Sequence, residues 1–170
     1  DILAVGATGD DDHAFNAGSV YLFYRNQGGL VNWGLVQKVT AQDGAYMDNF
    51  GRYLSLSGPT LVVGVPYDDD AGESSGSVYV FERNQGGTDT WGQVTKLTAS
   101  DASEGDQFGS SLFVSGNMLV IGAPYDDFLG DNAGATYLFR RNEGGINNWG
   151  EADIIIPVDG AAGDYFGRSM

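Results

Sequence analysis

Phe50-Gly51-Arg52-Tyr53-Leu54-Ser55-Leu56-Ser57-Gly58-Pro59-Thr60-Leu61-Val62-Val63-Gly64-Val65-Pro66 returns 58 residues later as Phe108-Gly109-Ser110-Ser111-Leu112-Phe113-Val114-Ser115-Gly116-Asn117-Met118-Leu119-Val120-Ile121-Gly122-Ala123-Pro124. Phe166-Gly167 opens a further copy at the same interval. Working outward, Gly6/Gly64/Gly122, Tyr21/Tyr79/Tyr137, Phe23/Phe81/Phe139 and Trp33/Trp91/Trp149 hold that register without a gap. Self-similarity at a fixed period marks a stack of one supersecondary unit, each copy burying its faces against its neighbours.

Each unit reads as four short strands. Gly51 to Ser57 leads through a Ser-Gly turn into Thr60 to Val65, a run apolar on both faces, as in a strand covered on both sides. Gly76 to Glu82 alternates Val78 and Val80 with Tyr79 and Phe81, so both its faces also ask to be buried. Val94 to Ala99 alternates apolar residues with Thr and Lys96, which suits an outer strand with one wet face and a charge guarding its edge. The Gly-rich Asn84-Gln85-Gly86-Gly87 joins strands three and four as a hairpin loop. Trp33, Trp91 and Trp149 fall at the start of the outer strand, as packing residues. The expected architecture is all-β: a β-propeller of four-stranded antiparallel blades, three 58-residue repeats forming one partial or oligomer-completed ring. The blades are 50–107, 108–165 and a split blade made of 166–170 plus 1–49. Three blades do not close comfortably around a channel, so further blades are expected from a longer chain or from other copies.

Composition narrows the partners. The 170 residues carry a formal charge of −15, with a pI near 4.1, which opposes nucleic acid and anionic lipid, whose binding rests on Lys and Arg. Zero Cys excludes disulfides and thiolate metal sites, and one His excludes a His-rich cluster. No apolar run is long enough to span a membrane, and residue 1 opens without a signal-peptide pattern.

Phe50-Gly51 with Gly64-Val65-Pro66, and Phe108-Gly109 with Gly122-Ala123-Pro124, resemble the FG-GAP repeat of integrin α-subunit propellers. The bacterial form of the repeat is the closer match. In it a stretch like Lys96-Leu97-Thr98-Ala99-Ser100-Asp101 precedes the Phe-Gly, and a run like Tyr67-Asp68-Asp69-Asp70 follows the Pro. The resemblance covers essentially the whole chain and implies a non-enzymatic adhesion or protein-interaction module, extracellular or on a cell surface.

In such a blade the two-to-three loops (8–17, 66–75, 124–133) and four-to-one loops (43–49, 101–107, 159–165) open on one side. They hold 17 of the 23 acidic residues and none of the eight basic ones, a field that attracts cations. Four Asp positions recur in every copy: Asp10/Asp68/Asp126, Asp11/Asp69/Asp127, Asp43/Asp101/Asp159 and Asp48/Asp106/Asp164. Two readings stand side by side for these twelve. Asp caps turns by bonding its own backbone, and clustered carboxylates are hard oxygen ligands for Ca²⁺. The integrin-type calcium loop between strands one and two has no counterpart, since only Ser57-Gly58-Pro59 or Ser115-Gly116-Asn117 stands there.

A unique binding site should break the repeat. The breaks on the acidic side are His13 and Phe15, Tyr46 and Met47, and Phe128 and Leu129, beside the recurrent Tyr67 and Tyr125. Phe15, Tyr46, Tyr67, Tyr125 and Phe128 are the candidate ligand contacts, set against the simpler reading that they pack on the neighbouring blade. No nucleophile motif or phosphate-binding loop accompanies the single His, so no enzyme is expected. The candidate functions are adhesion or protein binding through the acidic face, a lectin-like mode with aromatics on sugar rings, or a purely structural spacer.

Overall fold

The computed structural model describes residues 1–170 as three antiparallel sheets. The first holds β1 (Ile2–Ala7), β2 (Ser19–Arg25) and β3 (Trp33–Val39). The second holds β4 (Tyr53–Ser57), β5 (Thr60–Val65), β6 (Ser77–Arg83) and β7 (Trp91–Leu97). The third holds β8 (Ser111–Ser115), β9 (Met118–Ala123), β10 (Ala135–Arg141) and β11 (Trp149–Ile155). Each is a meander in chain order, the simplest topology for strands joined by short turns. There is no helix, and so none long and apolar enough to cross a membrane.

The middle sheet is buried on both faces, and its alternation shows how. Leu61, Val63, Val65, Tyr79 and Phe81 join Val20, Leu22 and Phe50 in a core against the first sheet. Val62, Val78 and Val80 join Phe108, Leu119, Ile121 and Tyr137 in a core against the third. Successive side chains of one strand thus serve different cores, as the two-residue strand period requires. Phe50 meets Tyr79 and Phe81 edge to face at centroid distances of 5.6 and 5.9 Å. Phe108 does the same with Tyr137 and Phe139 at 5.3 and 6.0 Å.

The outer strand differs from its sequence reading. β7 begins at Trp91, where the repeat placed the start of the outer strand, but three residues before the alternating run from Val94, because a bulge opposite Val80 and Phe81 leaves Val94 as an extra residue and shifts the alternation on either side. A strict period-two pattern misses a strand with such a break. Residues 168–170 form no strand, and β1 carries no partner on its free edge, so the first sheet has three strands.

Trp91 and Trp149 are 2% and 3% exposed, as packing residues should be. Trp91 Nε1 donates to Tyr24 Oη at 2.9 Å, and its backbone exchanges two hydrogen bonds with the Gln37 amide at 2.7 and 2.8 Å. It therefore clamps the second sheet to the first. Trp33 departs from the expectation: it is 46% exposed, because no sheet covers that face of β3. Trp91→Ala should cost about 3 kcal/mol, by the large-to-small core rule. Trp33→Ala should cost less than about 1 kcal/mol, as an exposed site. Urea unfolding of the two variants checks the difference; equal losses would remove the assignment of Trp91 as the clamp.

Candidate functional site: the acidic loop rim

The loops rich in Asp are tied together by their backbones. Met47, Asn49 and Phe50 donate their N–H groups to the carbonyls of Phe15, Asn16 and Ala17 at 2.9 Å each. Gly105, Gln107 and Phe108 repeat this on Glu73, Ser74 and Ser75, and Gly163, Tyr165 and Phe166 on Asp131, Asn132 and Ala133. Each strand-two-to-three loop therefore lies beside the loop that enters the next repeat, and the two acidic loop sets share one rim.

Eleven of the twelve candidate Asp side chains have structural partners within the chain. Asp11, Asp69 and Asp127 accept the amides of Asn16, Ser74 and Asn132 at 2.7 Å. Asp48, Asp106 and Asp164 accept those of Ala45, Ser103 and Ala161 at 2.6 to 2.8 Å. Asp10, Asp68 and Asp126 accept the amide two residues on, at 3.2, 3.1 and 2.9 Å. These are the turn-capping bonds that Asp forms readily. Asp43 and Asp101 instead reach into the following sheet, accepting Tyr79 Oη at 2.9 Å and Tyr137 Oη at 2.8 Å.

Asp159 is the exception and departs from its repeat equivalents. It is exposed to solvent, and its carboxylate takes part in no hydrogen bond or ion pair with another side chain. Asp43 and Asp101 precede the second and third sheets, whose tyrosines they meet, whereas Asp159 meets no tyrosine of the three sheets.

A lysine stands where the calcium reading would put a metal. Lys96 Nζ lies 2.9, 2.8 and 2.5 Å from carboxylate oxygens of Asp43, Asp68 and Asp70, and 5.0 Å from the Tyr79 ring centroid. Lys38 does the same work with Asp10, at 2.6 Å, and with Asp12. Lys96 is therefore an internal counter-ion, not the exposed edge guard expected from its strand. No group of three or more His, Asp and Glu side chains is arranged to hold a metal ion. At Asp10 and Asp12, and at Asp43, Asp68 and Asp70, the carboxylates are paired with an ammonium in place of a metal ion.

Electrostatics follow from this pairing. The Lys38 ammonium holds Asp10 down to about 2, against the opposing effect of its burial, with the Asp12 amide and the Ser19 hydroxyl assisting. Burial works to raise Asp43, but the bonds from Lys96 and Tyr79 outweigh it and leave the group below the usual carboxylate range. Burial pushes the phenols of Tyr79 and Tyr137 up. Asp106 has no ammonium beside it. Burial raises it to about 6, the Ser103 amide opposing and the charges of Asp126, Asp101 and Asp127 adding to the rise.

The aromatic candidates divide. Phe15 and Tyr46 stack on each other at 5.7 Å and stay 52% and 66% exposed. Phe128 is 71% exposed. Tyr67 lies under the Arg52 guanidinium at 5.7 Å and Tyr125 meets Tyr165 edge to face at 5.4 Å, so these two rings are engaged within the chain. His13 Nε2 shares a 3.1 Å hydrogen bond with Thr40 Oγ1. The lysines and tyrosines that organise the acids are not among the sequence candidates. Their signal is the joint recurrence of Lys38 with Tyr21 and Lys96 with Tyr79, opposite each other in the strand register.

A carboxyl raised in the folded state makes folding less favourable as it ionises. Between about pH 4 and about pH 6 the unfolded chain has released the Asp106 proton while the folded chain still holds it, so this group lowers stability as pH rises through that window. Asp106→Asn keeps an acceptor for the Ser103 amide and removes the charge. At neutral pH it should be more stable than the wild type by about 2 kcal/mol, and near pH 4 about equal to it. Denaturant unfolding at both pH values checks this; a variant less stable at neutral pH would contradict it.

The FG-GAP repeat model matches residues 33–81 and 91–139. Each span starts at an outer-strand tryptophan and runs into the third strand of the following sheet, so the repeat in sequence straddles two sheets. No curated protein matches the chain. The two matched spans, in register with each other and covering more than half of the chain, place it in the FG-GAP repeat family.

Proposed function

We propose that this chain is a non-enzymatic, extracellular or cell-surface protein-interaction module whose sheets are blades of a β-propeller, and that it meets a protein partner through the acidic loop rim. The observation that carries this reading is the rim itself. Seventeen of 23 acids lie in loops bound edge to edge by backbone hydrogen bonds, a rigid negative surface with the exposed Phe15 and Tyr46 stack at its margin. A negative field speeds encounter with a basic patch, and an aromatic anchor supplies affinity that charge alone does not. The lectin-like alternative draws less support, because the Tyr67 and Tyr125 rings are already engaged within the chain.

The propeller reading rests on repeat equivalents. Leu3 and Val5 are 43% and 44% exposed, whereas Leu61 and Val63, at the same register in the next sheet, are fully buried against a preceding sheet. The same face carries Trp33 and the exposed Leu35. A blade of the same kind is the occupant this face fits, whether from the same polypeptide or from another copy.

Light scattering of the 170-residue chain at micromolar concentration should give more than a monomer, and Val5→Asp should return it to monomer without loss of folding; a wild-type monomer at those concentrations would contradict docking between copies. Binding of the chain to a panel of matrix proteins and to a glycan array, with calcium and with EDTA, tests the function. Protein binding indifferent to EDTA and weakened about tenfold or more by Phe15→Ser is expected, as for removal of an aromatic anchor. Glycan binding abolished by EDTA would favour the lectin-like, calcium-dependent alternative.

A further inference from the structure

The third sheet repeats the acid arrangement of the second but not its cation. Register places Ile154 opposite Tyr137 where Lys96 stands opposite Tyr79 and Lys38 opposite Tyr21. The third carboxylate is missing too, since Phe128 stands at the position of Asp70 and Asp12. The two remaining acids are held as before: Tyr137 Oη lies 2.8 Å from Asp101 and 2.9 Å from Asp126, matching Tyr79 with Asp43 and Asp68.

A phenol has one hydrogen to donate. In the second sheet Lys96 Nζ bridges the same two carboxylates and supplies the donors and the charge that Tyr79 lacks. In the third sheet neither is supplied, although Asp126 is only 5% exposed. A cavity of about 230 Å³ opens at this point, lined by Asp101, Asp126, Phe128, Ala135, Ile154 and Ile156. It joins two carboxylates to apolar walls, the pairing of surfaces that a lysine side chain presents, with its alkyl stem and charged head.

We propose that this cavity is a binding site for a primary alkylammonium group, the lysine side chain of a partner protein, which takes the place that Lys38 and Lys96 fill in the other two sheets. The site deepens the interaction-module reading and rests on it for the identity of the partner. The internal lysines define the ligand: the positions of Asp126 and Tyr137 hold an ammonium in both other copies, with a second carboxylate from Asp12 in the first sheet and Asp43 in the second, and the exposed Phe128 and Ile154 provide the wall for the stem.

The test uses n-butylammonium as the probe, with n-butanol as the uncharged control and calcium chloride as the competing cation. Followed by amide NMR, n-butylammonium should shift the Phe128 signal, whose N–H donates to Asp126 at 2.9 Å, in a saturable way, while n-butanol should not. Ile154→Lys should abolish the saturable shift and raise the melting midpoint at neutral pH relative to Ile154→Met, which has similar length but no charge. Absence of a saturable shift, an equal response to n-butanol, or Ile154→Lys melting no higher than Ile154→Met would overturn the proposal. Tighter saturation by calcium at the same amide would overturn it in favour of a metal. A negative result with n-butylammonium, alongside retained binding of a matrix protein, would remove this pocket and leave the interaction-module reading standing.

Discussion

The structure depends on the seat of one Phe-Gly dipeptide between two sheets. Phe108 inserts its ring against Tyr137 and Phe139, its backbone N–H bonds the Ser75 carbonyl at 3.0 Å, and the following Gly109 N–H bonds the Gly122 carbonyl at 3.0 Å. The Gly109 carbonyl in turn lies so close to β5 that a Cβ on Gly64 would stand 2.0 Å from it. Only a residue without a side chain permits that approach. Phe50-Gly51 makes the same contact with Gly6, and Phe166-Gly167 with Gly122. This contact joins one sheet to the next and draws the loop before each Phe-Gly against the loop of the preceding sheet. The acidic rim is its consequence.

Bringing so many carboxylates to one rim carries an electrostatic cost, and the molecule offsets it unevenly. The first and second sheets neutralise theirs with Lys38 and Lys96, each drawn over a tyrosine ring and into the carboxylates. Turn amides take up much of the remaining acceptor capacity, which is why the recurrent Asp residues read as ligands in sequence and as caps in space. The third sheet lacks the lysine, and there the carboxylates lie beside apolar walls instead of a cation. Breaks in a repeat are informative for this reason: a position that recurs serves the unit, and one that departs is free to serve a ligand.

Much of this is legible in the sequence because a repeat prints its constraints several times. The interval of 58 residues, the strand order within a unit, and the two-sided burial of the Thr60 to Val65 run all follow from side-chain period and glycine placement. The alternation through β7 does not, because a one-residue bulge at Val94 breaks the pattern on which a strand is recognised. The common rim of the two loop sets follows from topology. The partition of its aromatics does not: Phe15 and Tyr46 find each other, and Tyr67 finds Arg52, across separations that no local pattern encodes.

The unit was therefore written in the chain before folding: its length, its four strands, its Phe-Gly seat and the side on which its acids gather. These are properties of local spacing, which an unfolded chain already carries. What each acid faces was settled by packing between segments far apart. Lys96 belongs to one outer strand, Asp43 to the loop entering its sheet, and Asp68 and Asp70 to a loop between two others, and they meet because three segments distant in sequence converge. Asp159 shares the repeat position of Asp43 and Asp101 yet meets solvent, with no tyrosine of the three sheets opposite it. Packing likewise separated Trp91, covered by the first sheet, from Trp33, uncovered on its outer face, although the two residues have the same place in the repeat. Burial is a relation between sheets, and a pattern within one sheet does not contain it.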